Sequence, residues 1–366
     1  MDPRLEPILH RTPEWLKPDG PDQDIVVSSR VRLARNLADY PFPRQLKPEQ
    51  AEEICTRTTS CLETVFRNGL ILNPTELEVA EAEFLIERSL ASRDMFESAQ
   101  PGRILFRGDG TLGLMVNEED HFRVQGFARG LDLAKAFHHT AGLSKELNRE
   151  FRLAKHIKYG YLTSCPTNAG SGMRASLMLH LPAMARLRTP LQQTLQTAQK
   201  SSLAVRGVHG EGSQSIGNFF QISNQLTLGP SSAEQIQKVT EFGRVVCGYE
   251  RETREKLLSH PGSRAELIQD AQQAWKLILE SDKMTSAQAL RALSRLRLAM
   301  LCKLSDELEI ETPPTVQELL ELSFQLQPGH LQARFGIALD PLRRDVSRAQ
   351  ALRRGLNIPP KDSRSS

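Results

Sequence analysis

The segment from Leu162 to Pro182 reads L-T-S-C-P-T-N-A-G-S-G-M-R-A-S-L-M-L-H-L-P and decides how this chain is interpreted. Cys165 follows a short apolar run, and a Gly-Ser-Gly turn separates it from Arg174, which leads into an apolar pattern that predicts a helix. Helix N-termini attract anions because their first N–H groups are unpaired and the dipole is positive there. We therefore expect a thiol and a guanidinium at one loop, next to an anion-binding helix start.

The segments on either side predict the domain organisation. Strand patterns lie at 24–29, 103–116, 122–126, 159–163, 203–205 and 219–228, and helical patterns at 48–68, 84–95 and 130–150. Gly108-Asp109-Gly110 divides 103–116 into a predicted hairpin. From residue 231 the patterns are helical only, at 231–259, 263–279, 286–304 and 315–325. The sequence thus predicts an α+β part and then an all-α part, with a lead-in at 1–23 and domains at 24–255 and 256–366.

Composition excludes several classes of protein. The 366 residues are 39% hydrophobic and 25% charged, as in globular proteins, and the net charge of +3 does not indicate a nucleic-acid binder. The apolar runs are too short to span a bilayer, and the N-terminus lacks the pattern of a secretory signal. The chain has five scattered cysteines: Cys55, Cys61, Cys165, Cys247 and Cys302. Their spacing argues against a disulfide framework or a zinc site, so we expect a cytoplasmic, reducing location.

Three further segments carry charged residues in suggestive patterns. In S-S-R-V-R at 28–32, Arg30 and Arg32 point the same way if the segment is extended, and two guanidiniums can then bind one phosphate. A surface strand with two solvated arginines explains this motif equally well. The segment R-G-V-H-G-E at 206–211 is either an ordinary surface loop or part of a site, and it matches no dinucleotide fingerprint.

The third segment, N-E-E-D-H at 117–121, places three carboxylates and a histidine beside Arg123. It is a solvated loop, a metal site of no standard spacing, or a site that holds a cationic substrate group. Cys165 is likewise either structural or a thiolate that pairs with such a cation. The residues alone leave these alternatives open.

Taken together and in this order, the four segments resemble the phosphagen (ATP:guanido) kinase family over residues 24–250. The resemblance implies a catalytic domain with a central antiparallel sheet flanked by helices, and transfer of phosphate from MgATP to a guanidine nitrogen. It implies that Glu119 and Glu211 clamp the guanidinium, one of them as general base, with the thiol of Cys165 beside it. It further implies that five arginines bind the phosphates of ATP: Arg30, Arg32, Arg123, Arg174 and Arg206.

The same resemblance extends the ATP-binding set to the neighbours of these arginines. Mg²⁺ is expected to be held through ATP rather than by protein side chains. Where relatives carry a nucleotide-contacting histidine in an L-[IV]-E-x-H-L-like segment, this chain has Ser89. The additional residues are Ser28, Ser29, Val31, Ala175, Ser176, Leu177, Met178, Gly207, Val208, His209, Gly210 and Glu211.

Two features resemble one branch of that family, the bacterial protein-arginine kinases. Fewer than thirty residues precede S-S-R-V-R, and a helical part follows the catalytic region. The motif R-D-V-S-R-A at 344–349 matches the R-D-x-x-R-A phosphoarginine site of that branch through Arg344, Asp345, Arg348 and Ala349. Arg344 and Arg348 are i,i+4 on a helix and can converge on one phosphate.

The resemblance to this branch implies that the substrates are proteins that bear arginine. It implies two roles, the marking of proteins for a Clp-type protease with its unfoldase and the control of a heat-shock repressor. It also implies an activator protein and a homodimer. The expected partners include no membrane and no nucleic acid. Three alternatives remain: a kinase for free guanidines, a phosphoarginine-binding adaptor without catalysis, which Ser89 motivates, and an ATP-dependent ligase of related sheet fold.

Overall fold

The structure is a computed structural model that describes residues 2–208 and 215–359. Its strands are β1 (Val26–Arg35), β2 (Gly69–Leu72), β3 (Arg103–Arg107), β4 (Leu112–Val116), β5 (Phe122–Arg129), β6 (Lys155–His156), β7 (Gly160–Tyr161), β8 (Met173–His180), β9 (Leu203–Gly207) and β10 (Phe219–Asn224). Eight of them form one antiparallel sheet in the order β2-β3-β4-β5-β1-β8-β10-β9, and β6 and β7 pair separately.

Helices surround this sheet and form the whole C-terminal part of the described chain. They are α1 (Glu6–Leu9), α2 (Pro48–Leu62), α3 (Val79–Glu87), α4 (Arg93–Glu97), α5 (Leu133–Glu150), α6 (Pro182–Leu187), α7 (Thr189–Lys200), α8 (Ser232–Ser259), α9 (Pro261–Glu280), α10 (Ser286–Leu301), α11 (Val316–Gln325), α12 (Pro328–Phe335) and α13 (Pro341–Gly355). The predicted α+β class, with a central antiparallel sheet followed by helices, is confirmed.

Local sequence signals account for several of these elements. The hairpin of β3 and β4 turns at Gly108-Asp109-Gly110, where Gly110 has a φ of +73° that favours glycine. Helix α8 begins with a capping box, in which Ser231 and Glu234 bond to each other's backbone N–H groups. The helix predicted over 84–95 is instead two helices, because Ser89 adopts a φ of +59° and Ser92 caps a new start.

The helix predicted from Arg174 is wrong. Residues 173–180 form β8, which pairs with β1 on one side and with β10 on the other. A strand that is covered on both faces loses the polar–apolar alternation, and a short apolar run of this kind cannot be told from a buried helix by periodicity. Cys165 therefore does not lie beside a helix start; it precedes a three-residue 3₁₀ turn, Pro166–Asn168.

The two faces of the sheet differ in how far other elements cover them. Val31, Ala175 and Leu177 point from the central strands into the main core, where α5 and α8 also pack. On the opposite face one apolar cluster covers an end of the central strands, where Trp15 stacks on Phe127 with ring centroids 5.8 Å apart. A second apolar cluster, with Ile104 and Met115, covers the outer strands of that face. The functional side chains lie on the part of the face that these clusters leave open. None of the described helices combines the length and apolar character needed to cross a bilayer.

Candidate active site

Strand register gathers the predicted arginines on one face of the sheet. Arg32 on β1 lies directly opposite Arg174 on β8, and Arg30 lies two residues away on the same face. On the other side of β1, Ala34 pairs with Arg123 of β5. Arg206 of β9 pairs with Gln221, whose strand β10 carries Ser223 opposite Ser176 of β8, so its side chain emerges on that face too. The sheet itself, rather than a helix start, assembles the five guanidiniums.

Three of these guanidiniums, those of Arg30, Arg32 and Arg174, have lowered pKa values because they are buried beside other arginines. Burial, together with the nearby charges of Arg123 and Arg174, lowers the pKa of Arg30 to about 10. Burial and three neighbouring arginines likewise lower the pKa of Arg32, whose Nε is buried without a hydrogen-bond partner. Among the described residues, the Arg174 guanidinium donates to the hydroxyl of Ser223, at 3.3 Å from both Nε and Nη2. Such clustered, weakly compensated cations favour a multiply charged anion.

One carboxylate fixes an edge of this face. Glu118, whose side chain is fully buried, forms an ion pair with Arg123 and accepts a hydrogen bond from the Ser92 hydroxyl at 2.6 Å. Burial opposes ionisation, but the charge of Arg123 lowers the pKa of Glu118 overall. In turn, the pKa of Arg123 is raised: burial acts against this, and Glu118 outweighs burial. Glu118 thus holds Arg123 in a charged, oriented state.

An acidic cleft of about 430 Å³ adjoins the arginine face at this edge. Its lining includes four carboxylates, of Asp94, Glu97, Glu118 and Glu119, and one cation, Arg44. Burial raises the pKa of Glu119, and the neighbouring carboxylate of Asp120 raises it further. The cleft therefore suits a cationic group, and Glu119 is the carboxylate best able to take up a proton there.

The loop with Cys165 is tied to the loop with Glu119. Asp120, which is buried, accepts hydrogen bonds from the Ser164 N–H at 2.7 Å and from the Asn36 side-chain amide at 2.5 Å. The Cys165 sulfur lies 3.0 Å from the Thr167 hydroxyl, and the Cys165 carbonyl accepts from Thr163. The thiol is thus held at the margin of the acidic loop by its neighbours in the chain.

Not every predicted ATP-binding residue brings its side chain to this face. Val31, Ala175 and Leu177 point into the core, and the Ser29 hydroxyl donates to the Gly130 carbonyl at 2.8 Å. Ser28, Ser176 and Met178 share the arginine face, with Met178 against the apolar cluster at its covered end. Gly207 ends β9, and Val208 packs on that same cluster. The predicted residues His209, Gly210 and Glu211 lie outside the described residues.

Ser89, the position of the expected histidine, takes part through its backbone. Its carbonyl accepts a hydrogen bond of 2.7 Å from the Gln125 amide, and Gln125 lies opposite Arg32 in the sheet. The segment after α3 therefore rests on the arginine face although it offers no imidazole. No group of three or more His, Cys, Asp or Glu side chains suited to a metal occurs in the part of the chain that the structure describes.

The R-D-V-S-R-A motif lies on α13, where its two arginines differ in environment. Arg348 is buried and donates from Nε to the Leu326 carbonyl at 3.0 Å and from Nη1 to the Met284 carbonyl at 2.7 Å. The same Nη1 lies 2.5 Å from Asp345. Arg344 is half-buried, and Ala349 packs in the helical core. The helical placement follows the prediction, and the phosphoarginine role stays a prediction.

Sequence reasoning missed Ser92, Asp94, Glu97 and the pairing role of Glu118. A serine before a short helical segment is a recognisable N-cap signal, and Ser92 does accept a hydrogen bond from the Met95 N–H at 3.3 Å. Nothing in the sequence links Ser92 to Glu118, which is 26 positions away. The acidic cleft arises only when α4 packs beside the loop that follows β4.

Comparison with known proteins agrees with this geometry. Residues 50–253 match the family model described as ATP:guanido phosphotransferase, C-terminal catalytic domain, and residues 264–366 match the protein-arginine kinase McsB C-terminal domain. The protein-arginine kinase of Desulforamulus reducens is 36% identical over 96% of this chain and 98% of its own. That of Brevibacillus brevis is 35% identical over 94% of this chain and 95% of its own.

Solved structures share the fold at lower identity. The duplicated taurocyamine kinase of Schistosoma mansoni aligns with a TM-score of 0.56 and 23% identity over 64% of this chain and 34% of that longer one. Lombricine kinase aligns with a TM-score of 0.55 and 20% identity over 68% of this chain and 75% of its own. The chain therefore belongs to the protein-arginine kinases of the ATP:guanido phosphotransferase family, and the resemblance seen in its sequence motifs is confirmed.

Proposed function

We propose that this enzyme transfers the γ-phosphoryl group of ATP to the guanidino group of arginine residues in proteins. The observation that carries the proposal is the contact between two oppositely charged surfaces, the arginine face and the acidic cleft, which meet at the ion pair of Arg123 with Glu118. A triphosphate suits the first surface and a guanidinium suits the second. Phosphoryl transfer needs little more than this alignment and charge neutralisation.

On the phosphate side, the five arginines bind and orient the triphosphate. Arg30, Arg32 and Arg174 stand close enough to lower one another's pKa values, so they share a bound anion rather than act alone. In the described part of the chain this face carries cations and no cluster of three metal-ligating side chains, which supports an Mg²⁺ held through ATP. When bound, Mg²⁺ supplies further neutralisation of the phosphate oxygens.

On the guanidine side, Glu119 is proposed as the general base. A guanidinium nitrogen is not nucleophilic until it loses a proton, and the raised pKa of Glu119 makes its carboxylate a better acceptor. As the nitrogen–phosphorus bond forms, the bond from the γ-phosphorus to the bridging oxygen of ADP breaks. The proton passes to Glu119, and ADP leaves with phosphoarginine as the other product. Cys165 is proposed to stabilise the guanidinium electrostatically beside this base.

The acidic cleft supports a protein substrate over a free guanidine. Asp94 and Glu97 extend the negative charge of Glu119 along the surface of α4, beyond what one guanidinium needs. A polypeptide with arginine and other cationic residues can use that extension, whereas a small metabolite cannot. The naming of relatives as protein-arginine kinases supports the same choice.

Family membership alone supports the wider biological role. We extend the proposal to marking of substrates for a Clp-type protease and its unfoldase, control of a heat-shock repressor, an activator protein, homodimerisation and regulation by phosphoarginine through Arg344, Asp345 and Arg348. A cytoplasmic location is also part of the proposal. It is supported by the five cysteines, all of which are free thiols.

The test is incubation of the purified protein with MgATP and, separately, an arginine-rich unfolded protein, free arginine or creatine. Mass spectrometry that keeps the acid-labile phosphate then assigns the modified sites. We expect phosphoarginine on the protein only. Label on a free guanidine instead would make the enzyme a metabolite kinase.

The alternative of a phosphoarginine-binding adaptor rests on the absence of the histidine at Ser89. Glu119→Gln separates the two functions, because it removes the base and keeps the shape of the cleft. We expect this variant to lose phosphorylation by a factor of about 10² to 10⁴ while it still binds a phosphoarginine peptide. A wild-type protein that binds the peptide but never consumes ATP would establish the adaptor.

A further inference from the structure

A second charged cleft, of about 550 Å³, lies at the far end of the sheet from Glu119. It surrounds the turn between β3 and β4, whereas Glu118 and Glu119 follow the opposite end of β4. Three arginines from separate segments line it: Arg11 of the lead-in, Arg67 after α2, and Arg107 at the end of β3. Asp109 of the turn is the one carboxylate in its lining.

The three guanidiniums of this basic cleft have no anionic partner of their own. Among the described residues, no ion pair or hydrogen bond involves the guanidinium of Arg11, Arg67 or Arg107, although the Arg11 carbonyl accepts a hydrogen bond of 2.8 Å from Arg88. The charge of Arg107 also acts beyond the cleft: burial lowers the pKa of His139 on α5, and Arg107 and Lys135 contribute to the lowering. Like charges gathered without compensation repel one another, and a bound anion relieves that cost.

Asp109 makes the cleft more selective than a simple anion site. Its Oδ1 accepts from the Thr111 N–H at 2.9 Å and from the Thr111 hydroxyl at 2.7 Å, which fixes the direction of the carboxylate. These bonds leave Oδ2 available. A ligand that fills the cleft therefore meets three cations and one oriented carboxylate oxygen. An acidic peptide would be repelled by that oxygen, and inorganic phosphate would make no use of it.

We propose that the basic cleft binds the phosphoarginine side chain of a modified protein. The phosphoryl group would accept hydrogen bonds from the three arginines, and Asp109 would hold the guanidinium nitrogens that remain unmodified. This inference rests on the proposed function, since that function supplies the product. The site is separate from R-D-V-S-R-A on α13, and it would retain a substrate protein after its first modification and so favour further ones.

The test uses the full chain carrying Arg344→Ala, so that the motif on α13 contributes little. Fluorescence anisotropy at slightly alkaline pH follows a labelled peptide with one phosphoarginine. We expect Arg67→Ala combined with Arg107→Ala to weaken binding by about tenfold or more, because charge-assisted hydrogen bonds are lost. The matched control combines Arg291→Ala with Arg295→Ala, which removes the same charge from an exposed face of α10.

Two further arms define the ligand. Arg67→Lys combined with Arg107→Lys keeps the charge but removes the forked geometry, and we expect an intermediate affinity. Asp109→Asn should reduce the preference for phosphoarginine over inorganic phosphate. The proposal is overturned if the double alanine variant binds like the control, or if inorganic phosphate displaces the peptide from the Arg344→Ala protein as well as free phosphoarginine does. Because the peptide is synthetic and no ATP is present, this result is independent of whether the kinase reaction occurs.

Discussion

Asp120 and Ser164 join the two loops of the candidate active site through a hydrogen bond of 2.7 Å from the Ser164 N–H to the Asp120 carboxylate. Asp120 precedes His121, and its other neighbour is Glu119, the proposed base, while Ser164 precedes Cys165. Since Asp120 is only 2% exposed, this bond is shielded from water. It ties the segment that carries the thiol to the segment that carries the base, so Asp120 is a positioning residue.

Replacement of Asp120 should therefore affect turnover more than nucleotide binding. We expect Asp120→Ala to lower kcat by about tenfold or more, because the Ser164 N–H loses its acceptor and the Cys165 loop moves from Glu119. The KM for ATP should change little. Asp120→Asn keeps an oxygen acceptor and should retain more activity than the alanine variant. Equal losses in both variants would show that the charge, rather than the positioning, matters.

Replacement of Ser92 should affect nucleotide binding more than turnover, in contrast to replacement of Asp120. Its hydroxyl donates to Glu118 at 2.6 Å, and Glu118 orients Arg123 on the phosphate side. We expect Ser92→Ala to raise the KM for ATP several-fold, with a smaller effect on kcat. The variant also loses the N-cap of α4, which costs about 1 kcal/mol.

Two variants control for that loss of a cap. Thr285→Ala removes an equivalent N-cap at α10, remote from the site, and should leave the KM for ATP unchanged. Ser92→Thr keeps the hydroxyl and should restore the wild-type KM. If both alanine variants alter the KM alike, the effect of Ser92 is general destabilisation.

The raised pKa of Glu119 predicts the acidic limb of the pH profile. The carboxylate must be ionised to accept the guanidinium proton, so kcat/KM should fall as the pH falls through that pKa. Burial and Asp120 place this limb above the ordinary glutamate value of 4.5. Release of ADP, followed in a coupled assay, avoids the acid lability of the product. Glu97→Gln, in the same cleft, should leave the limb in place.

His180 predicts how stability depends on pH. The Arg297 guanidinium donates to its Nδ1 at 2.6 Å, so Nε2 carries the proton and donates to Ser294 at 2.8 Å. Burial lowers the pKa of His180 well below 6.5, and Arg297 lowers it further. The unfolded chain thus binds a proton that the folded chain excludes, and the free energy of unfolding should fall as the pH drops below 6.5.

Urea unfolding at about pH 7.5 and about pH 5.5 measures this dependence, because the two values lie on either side of the ordinary imidazole pKa of about 6.5. His180→Asn should lower stability at the higher pH but reduce the loss between the two. His138→Asn, at an exposed position of α5, should keep the full wild-type loss. A wild-type chain with equal stability at both pH values would contradict the prediction.

The two arginines of the C-terminal motif should behave differently. Arg348→Ala leaves the carbonyls of Leu326 and Met284 without their donor inside the helical core, and we expect a loss of about 2–4 kcal/mol in the free energy of unfolding. Arg344→Ala should leave thermal stability within about 0.5 kcal/mol of wild type. Calorimetry of both variants, with binding of phosphoarginine measured separately, checks this difference. Equal destabilisation would contradict the structural role of Arg348.

Much of the fold was predictable because its signals are local. The Gly108-Asp109-Gly110 turn and the capping box at Ser231 depend on residues a few positions apart, and both elements form as the sequence indicates. The strand at Arg174 was not predictable in this way, since its ladders with β1 and β10 are long-range pairings. Tertiary pairing overrode the helical pattern there.

The candidate site shows the same division. The arginines could be named from motifs, but their meeting depends on the register that sets Arg32 opposite Arg174, and no spacing in the sequence encodes that register. Glu118 and Ser92 are likewise 26 positions apart, and Asp120 and Ser164 are 44 apart. Such partners follow from packing. Glu211 stays a prediction, because it lies outside the described residues.

The contact between His180 and Arg297 also bears on how this protein can be dissected. β8 carries Arg174 near one end and His180 at the other, and Arg297 of α10 donates a hydrogen bond to His180. Helix α12 is held in a similar way, because Glu87 of α3 accepts hydrogen bonds from the N–H groups of Gly329 and His330. A fragment that ends near residue 255 would lack both α10 and α12, and the end of β8 at His180 would be exposed to water. Activities in this chain are therefore better assigned by point substitutions in the intact protein than by truncation.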